Sequence, residues 1–239
     1  MRDGNRLFRW RSCLPLFFVP ILISGLSEFG YPKGSHTYDL IWEIICLSAS
    51  FFGFFIRCYT IAYVPKRTSK RNTKSQKADS LNNTGMYSLM RNPLYFGNFF
   101  MFLGVTLFVR LWWVSMIYGL VFWLYYERII WAEEAFLKEK YGKDYLDYAK
   151  RTPAFNPNFS NLKRPNLSFS FRNILKREYS GFFAMIASFT VLILVGDDIA
   201  TGKLIIDKLW LCLFLGGLGV YLTLRTLKKK TRILHVEGR

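Results

Sequence analysis

The sequence predicts an all-α polytopic membrane protein with about six transmembrane helices. Three observations carry this. Across 239 residues, 51% are hydrophobic and 18% aromatic, yet the formal net charge is +17. The apolar residues gather into long runs separated by polar, basic connections. With the N-terminus placed inside, the inner segments hold 28 of the 33 Lys and Arg. Apolar spans in lipid with basic loops facing an anionic surface account for all three, so the bilayer is the expected partner. A nucleic-acid binder is also basic, but its charge is not interleaved with lipid-length apolar runs, and nucleic acid is not an expected partner.

The first expected span is Leu14 to Phe29, mostly apolar apart from Glu28. Pro15, Pro20 and the lack of a small-residue cleavage pattern predict a retained span rather than a removed signal. The second runs from Leu40 to Val64, with Glu43 near one end and Arg57 toward the other. These two charges lie about 21 Å apart along a helix, too far to pair with each other. A snorkelling anchor is the favoured reading of Arg57 over a role facing a site. Residues 65–91 form a basic loop without apolar periodicity.

Leu94 to Tyr126 is apolar except for Arg110. It reads as a hairpin of two runs, Tyr95 to Val109 and Leu111 to Tyr126, turning at Arg110, Trp112 and Trp113. Each run spans only about 24 Å, short of the hydrocarbon core, which predicts a thin or tilted local structure. Glu127 to Tyr141 has helical composition and stops at Gly142, and a second short helix runs from Asp144 to Lys150. The Pro-, Asn- and Ser-rich stretch Pro153 to Asn173 reads as an extended surface connection. Within it Phe155, Phe159, Phe169 and Phe171 are placed to dip into the interface. Tyr179 to Gly196 and Leu209 to Leu224 form a C-terminal hairpin, followed by a cationic tail. The organisation is then a two-span region with its basic loop (1–80), a core (81–157), and a connection with the C-terminal hairpin (158–239). The charge distribution puts both termini and both long polar stretches inside.

The four cysteines form no Cys-x-x-Cys pair and the chain has two histidines, so neither a disulfide framework nor a His-rich metal centre is expected. The stretch Gly85 to Tyr95 stands where the basic loop meets an apolar run. Asn92 before Pro93 is a good helix start, with Arg91 at headgroup level and Tyr87 and Tyr95 as interfacial aromatics. Glu133 and Glu134 are adjacent on a helix and point about 100° apart, so both cannot face one ligand atom. Pairing of Glu134 with Lys138 on a solvated face is their plainest reading. Tyr145 and Tyr148 share a face.

Taken in order, Gly85-x-Tyr87, Arg91-Asn92-Pro93-x-Tyr95, Gly97, Glu133-Glu134-x-x-Leu137, Tyr141-Gly142, Tyr145 and Tyr148 resemble the isoprenylcysteine carboxyl methyltransferase and phospholipid methyltransferase superfamily. The resemblance covers about 81–157. It implies S-adenosyl-L-methionine as methyl donor, in a cytosol-facing pocket roofed by the segment after the hairpin. It assigns Tyr87, Asn92, Pro93, Tyr95, Glu133 and Tyr145 to the cofactor. Arg91 and Glu134 are assigned to substrate orientation, and Arg151 is a further cation near the site. The family has His where this chain has Asn92; Asn keeps a donor and an acceptor but cannot titrate.

The acceptor implied is a membrane lipid or lipid-anchored group. The surplus of base over acid leans toward O-methylation of an anionic group, a carboxylate or a phosphate such as lipid A 1-phosphate. Phospholipid amine N-methylation and prenylcysteine carboxyl methylation stand beside it. The tail regions are similar to bacterial relatives, which implies a bacterial inner membrane. The competing class is a non-enzymatic scaffold or small transporter, in which Glu43 and Arg57 would line an aqueous path.

Overall fold

A computed structural model describes residues 20–22, 24–25, 36–65, 80–203 and 206–236, and these contain helices and turns but no strand. In chain order the helices are α1 (His36–Ala62), α2 (Met86–Leu89), α3 (Pro93–Phe108), α4 (Trp112–Tyr141), α5 (Lys143–Arg151), α6 (Phe171–Thr201) and α7 (Lys208–Lys230). A 3₁₀ turn, Phe159–Asn161, lies between α5 and α6. Leu40–Ala62 of α1, Phe171–Ile199 of α6 and Lys208–Lys230 of α7 are long and apolar enough to cross a membrane, and Pro93–Phe108 is a shorter apolar helix. The chain is an all-α membrane protein. Most of the expected first span lies outside the described residues; residues 20–22 and 24–25 are helical.

The short hairpin forms as the sequence predicts. Helix α3 ends at Phe108, α4 begins at Trp112, and Arg110 occupies the turn with φ 66°. Helix α4 runs unbroken for 30 residues, joining the apolar run that ends at Tyr126 to the helical stretch Glu127 to Tyr141. Nothing between Leu120 and Tyr141 interrupts it: there is no Gly or Pro, and Glu, Ala, Leu, Lys and Arg all favour helix. One rigid rod therefore carries Glu133 and Glu134 from the apolar hairpin into the polar layer. Helix α6 starts earlier than predicted, at Phe171, with the Ser170 Oγ accepting from the Asn173 amide at 3.3 Å.

Helices α1 and α3 pack antiparallel through small residues. A Cβ on Gly97 would sit 2.6 Å from Arg57 Cγ and 2.7 Å from the Gly53 carbonyl, and one on Gly104 would collide with the Cys46 carbonyl and Ser50 Oγ. Ser50 Oγ donates to the Met101 carbonyl at 2.8 Å across this seam. Without a hydrophobic drive between helices in lipid, such close backbone approach is a principal source of attraction. Helix α6 returns alongside. Asn173 Nδ2 donates to the Ile61 carbonyl at 2.7 Å, and Phe108 and Phe189 meet edge to face at 5.8 Å. Helix α7 folds back on α6, with Phe189 stacked on Trp210 and Phe183 on Tyr221. The end of α1, the starts of α2, α3 and α6, and the end of α7 therefore share one end of the bundle. Many outward side chains are apolar and exposed, among them Phe55, Trp112, Leu120, Trp123, Leu211 and Leu215. In lipid such a surface needs no polar cover.

Two charges in the apolar layers, Arg57 and Glu178, pair with each other. Arg57 Nε and Nη2 donate to Glu178 Oε2 and Oε1, both at 2.8 Å, and Nη1 donates to Asn98 Oδ1 at 2.7 Å. The side chains are 14% and 2% exposed. Arg57 is thus no snorkelling anchor. Its planar fork is matched by the two carboxylate oxygens, joining α1, α3 and α6.

Candidate active site

The site is built where α2, the start of α3, the polar end of α4, and α5 converge. Gly142 makes that convergence. At φ 53° and ψ −120° it occupies a conformation that L side chains rarely adopt, and it turns the chain from α4 directly into α5. Helix α5 then lays Tyr145 and Tyr148 back toward α4 and α2. Gly142→Ala is expected to cost about 1–3 kcal/mol, read as a lower unfolding midpoint in detergent, although the added methyl group meets open space.

The adjacent glutamates divide their work, as their angular separation requires. Glu133 Oε1 accepts from the Tyr95 hydroxyl at 2.8 Å. The Tyr95 ring leans on Tyr126 at 4.7 Å, and Tyr126 stacks on Phe122 at 4.1 Å, so an aromatic wall supports the phenol. Glu134 turns to the other side, its Oε1 3.0 Å from Arg91 Nη2. The pairing with Lys138 read from helical spacing is superseded by this ion pair. The Arg91 and Glu134 side chains are 19% and 26% exposed, and Arg91 Nη1 also donates to the Ala149 carbonyl at 3.1 Å.

Buried Tyr145 stands beside Glu134, and burial followed by the neighbouring carboxylate pushes its hydroxyl well above the ordinary tyrosine value. Burial also raises the Glu134 carboxyl above its ordinary 4.5, against the lowering pull of Arg91 and Tyr145. Among the described residues, the buried Arg91 Nε has no hydrogen-bond partner. A buried guanidinium N–H with unmet capacity beside a carboxylate is suited to a ligand that brings an acceptor oxygen.

The stretch Gly85 to Asn92 is held in place mainly by backbone. Arg91 N donates to Pro153 O at 2.9 Å, Asn92 N to Ala154 O at 3.2 Å, Asn158 N to Leu89 O at 3.0 Å, and Gly85 N to Lys163 O at 3.0 Å. The Tyr148 hydroxyl adds a bond of 2.7 Å to the Tyr87 carbonyl. The segment after Pro153, read from sequence as a surface connection, is therefore a clamp on the first motif. Its aromatics remain near the surface, with Phe159, Phe169 and Phe171 exposed and Phe155 against Trp123 at 5.7 Å.

Asn92 stands at the N-cap of α3 with Pro93 behind it, as expected, but its side chain makes no cap bond. Its Nδ2 donates to the Ala154 carbonyl at 3.2 Å instead. Arg151 lies exposed in the last turn of α5, and its carbonyl accepts from Asn161 Nδ2 at 2.5 Å. The geometry thus brings Arg91, Glu134 and Tyr145 into one cluster and Tyr95 with Glu133 into a second beside it. Glu178 and Asn98 escaped sequence reasoning.

Residues 42–144 match the family model described as phospholipid methyltransferase. The chain is 31% identical over 156 residues to the nickel-cobalt-cadmium resistance protein NccN of Alcaligenes xylosoxydans xylosoxydans, covering 65% of this chain and 66% of that protein. It is 36% identical over 85 residues to the cobalt-zinc-cadmium resistance protein CzcN of Cupriavidus metallidurans, 36% of this chain and 39% of the relative. Against the protein-S-isoprenylcysteine O-methyltransferase of Schizosaccharomyces pombe identity is 33% over 89 residues, 37% of this chain and 36% of the relative. The chain thus spans 66% of the first relative's length and less than two fifths of the other two. No solved structure matches. With the matched segment holding the first motif, the hairpin and the second motif as far as Gly142, the chain belongs to the isoprenylcysteine carboxyl methyltransferase and phospholipid methyltransferase superfamily.

Proposed function

We propose that the protein transfers a methyl group from S-adenosyl-L-methionine to an anionic oxygen of a membrane-borne acceptor, a lipid phosphate or a carboxylate. The observation that carries this reading is the Arg91–Glu134 pair beside Tyr145, with the buried Arg91 Nε–H unmatched among the described residues. The donor set fits an amino-acid-bearing cofactor: the Tyr95–Glu133 pair offers a carboxylate to an ammonium, and the Asn92–Pro93 turn lies one helical turn away. When bound, that cofactor supplies an activated sulfonium methyl group, so the protein need not provide a strong base.

The chain's own work is then alignment and exclusion of water. Arg91 holds the acceptor oxygen by charge-assisted hydrogen bonds, Glu134 and the Ala149 carbonyl fix the guanidinium plane, and Tyr145 walls the cluster. Tyr87 and Asn92 position the loop that carries Arg91. Exposed Arg151 serves the acceptor's approach at the surface. Both termini face the cytoplasm in this reading, and a bacterial inner membrane is the setting.

A lipid amine acceptor, by contrast, would need Glu134 to take a proton. The pH dependence separates the two roles. Because burial raises the Glu134 carboxyl, the folded state favours its protonated form. That preference is fully present below the ordinary value of 4.5 and is lost as pH rises through the raised folded value. Ionised Glu134 therefore detracts from stability at neutral pH, as expected of a group kept for function. On acidification the Arg91 pair is lost earlier than for an exposed glutamate, so the acid limb of kcat/KM lies above 4.5. Glu134→Gln is expected to abolish that limb while retaining part of the rate for an oxygen acceptor, and to abolish turnover for an amine.

Calorimetry on detergent-purified protein should give saturable cofactor binding. Tyr95→Phe, which removes one charge-assisted bond to Glu133, is expected to weaken it about tenfold. No binding at saturating cofactor would overturn the proposal. Mass spectrometry of whole-cell lipids with and without the gene then names the acceptor by a mass increase of one CH₂ on one lipid class.

A further inference from the structure

The α6–α7 hairpin lies beyond the family-matched segment and carries a cavity of about 80 Å³ lined by Lys176, Lys228, Thr231, Arg232, Leu234 and His235. Lys176, Lys228, Arg232 and an imidazole surround it, and the described residues of the lining include no acid. They come from separate parts of the chain: the first turns of α6, the last turn of α7, and the turn after it. The arrangement is built rather than frayed. The Thr231 amide and hydroxyl donate to the Leu227 carbonyl at 3.1 and 2.6 Å, and His235 N donates to Arg232 O at 2.8 Å. Leu234, only 4% exposed, pins the turn from beneath. Lys228 Nζ lies over the Tyr179 ring, 5.1 Å from its centre, which directs the ammonium.

Cations at the carbonyl end of a helix gain from its dipole, but three gathered around one concavity also repel one another. A bound dianion offsets that repulsion. The volume is several times what one water requires and accepts a tetrahedral oxyanion. The cavity lies at the same end of the bundle as Arg91, where α6 and α7 emerge from their apolar layers, at the level of lipid headgroups. We propose that the α6–α7 hairpin holds an anion site for a phosphate monoester of the kind carried by a membrane lipid headgroup, separate from the Arg91–Glu134 cluster and independent of methyl transfer.

The test uses the full chain in phosphatidylcholine nanodiscs. Of its two histidines, His235 lines the cavity and His36 begins α1 at the opposite end of the bundle, so side-chain NMR has a built-in control. One arm dopes phosphatidic acid into the discs; the other adds inorganic phosphate to undoped discs. The expected result is saturable movement of the His235 resonances, with His36 still, in the doped discs. Movement with inorganic phosphate as well supports the site and shows that the phosphate group suffices. Movement with inorganic phosphate alone assigns the site to the free ion and overturns the headgroup source.

Lys176→Gln combined with Arg232→Gln is expected to weaken the response about tenfold or more, and Lys228→Gln alone to weaken it less. Lys229→Gln with Lys230→Gln removes the same charge from the last turn of α7 outside the lining, and should leave the response nearly unchanged. No movement in either arm, or equal weakening by both double variants, overturns the proposal in favour of diffuse surface charge.

Discussion

Glu178→Ala is expected to cost about 3–5 kcal/mol, because it leaves the Arg57 guanidinium buried without its counter-charge. Arg57→Ala should cost about the same. Thermal unfolding in detergent, or the yield of folded protein from membranes, reads the loss. The pair itself is not a large net source of stability, since desolvating both ions offsets much of their attraction. The double replacement Arg57→Met with Glu178→Leu should therefore recover most of what either single change loses. If the double variant is as unstable as the singles, the Arg57–Asn98 bond or the Leu94 carbonyl contact at 3.4 Å carries more weight than the pair. The contrast with Glu134 is instructive. Both are glutamates facing arginines, but the Arg57–Glu178 pair ties three helices together in the apolar layer, whereas Glu134 is a quarter exposed at the rim of a cluster.

Arg91→Ala is expected to lower methyl transfer by about 10²–10³-fold, with cofactor binding changed far less. The prediction follows from the proposed division of labour: Arg91 meets the acceptor, while Tyr95 and Glu133 meet the cofactor. Arg91→Lys should not rescue. An ammonium offers no fork to hold Glu134, the Ala149 carbonyl and an acceptor oxygen at once. Turnover of a radiolabelled methyl group into lipid extract measures the first effect, and calorimetry the second. Equal loss of both would place Arg91 with the cofactor instead.

Much of this was legible in the chain. Arg110 flanked by apolar runs fixed the hairpin turn, because a charge and two tryptophans prefer an interface to a bilayer centre. The 100° between adjacent helical residues foretold that Glu133 and Glu134 would serve different partners. Gly142 marked the turn into α5. Other features were out of reach for physical reasons. Arg57 and Glu178 are 121 residues apart, and nothing local to either shows which helix will bring the other. Asn92 looked like a cap because Asn before Pro usually is one. A nearby carbonyl, that of Ala154, took its side chain instead.

The clamp that holds Gly85 to Asn92 is made of peptide groups, and peptide groups are the same whatever side chains they carry. The stretch from Pro153 to Lys163 can therefore change its side chains over evolutionary time without displacing Arg91, provided its path is kept. The position of Arg91 is thereby decoupled from the side chains of that stretch. A chimera exchanging only that stretch between relatives is expected to leave the Arg91–Glu134 pair in place.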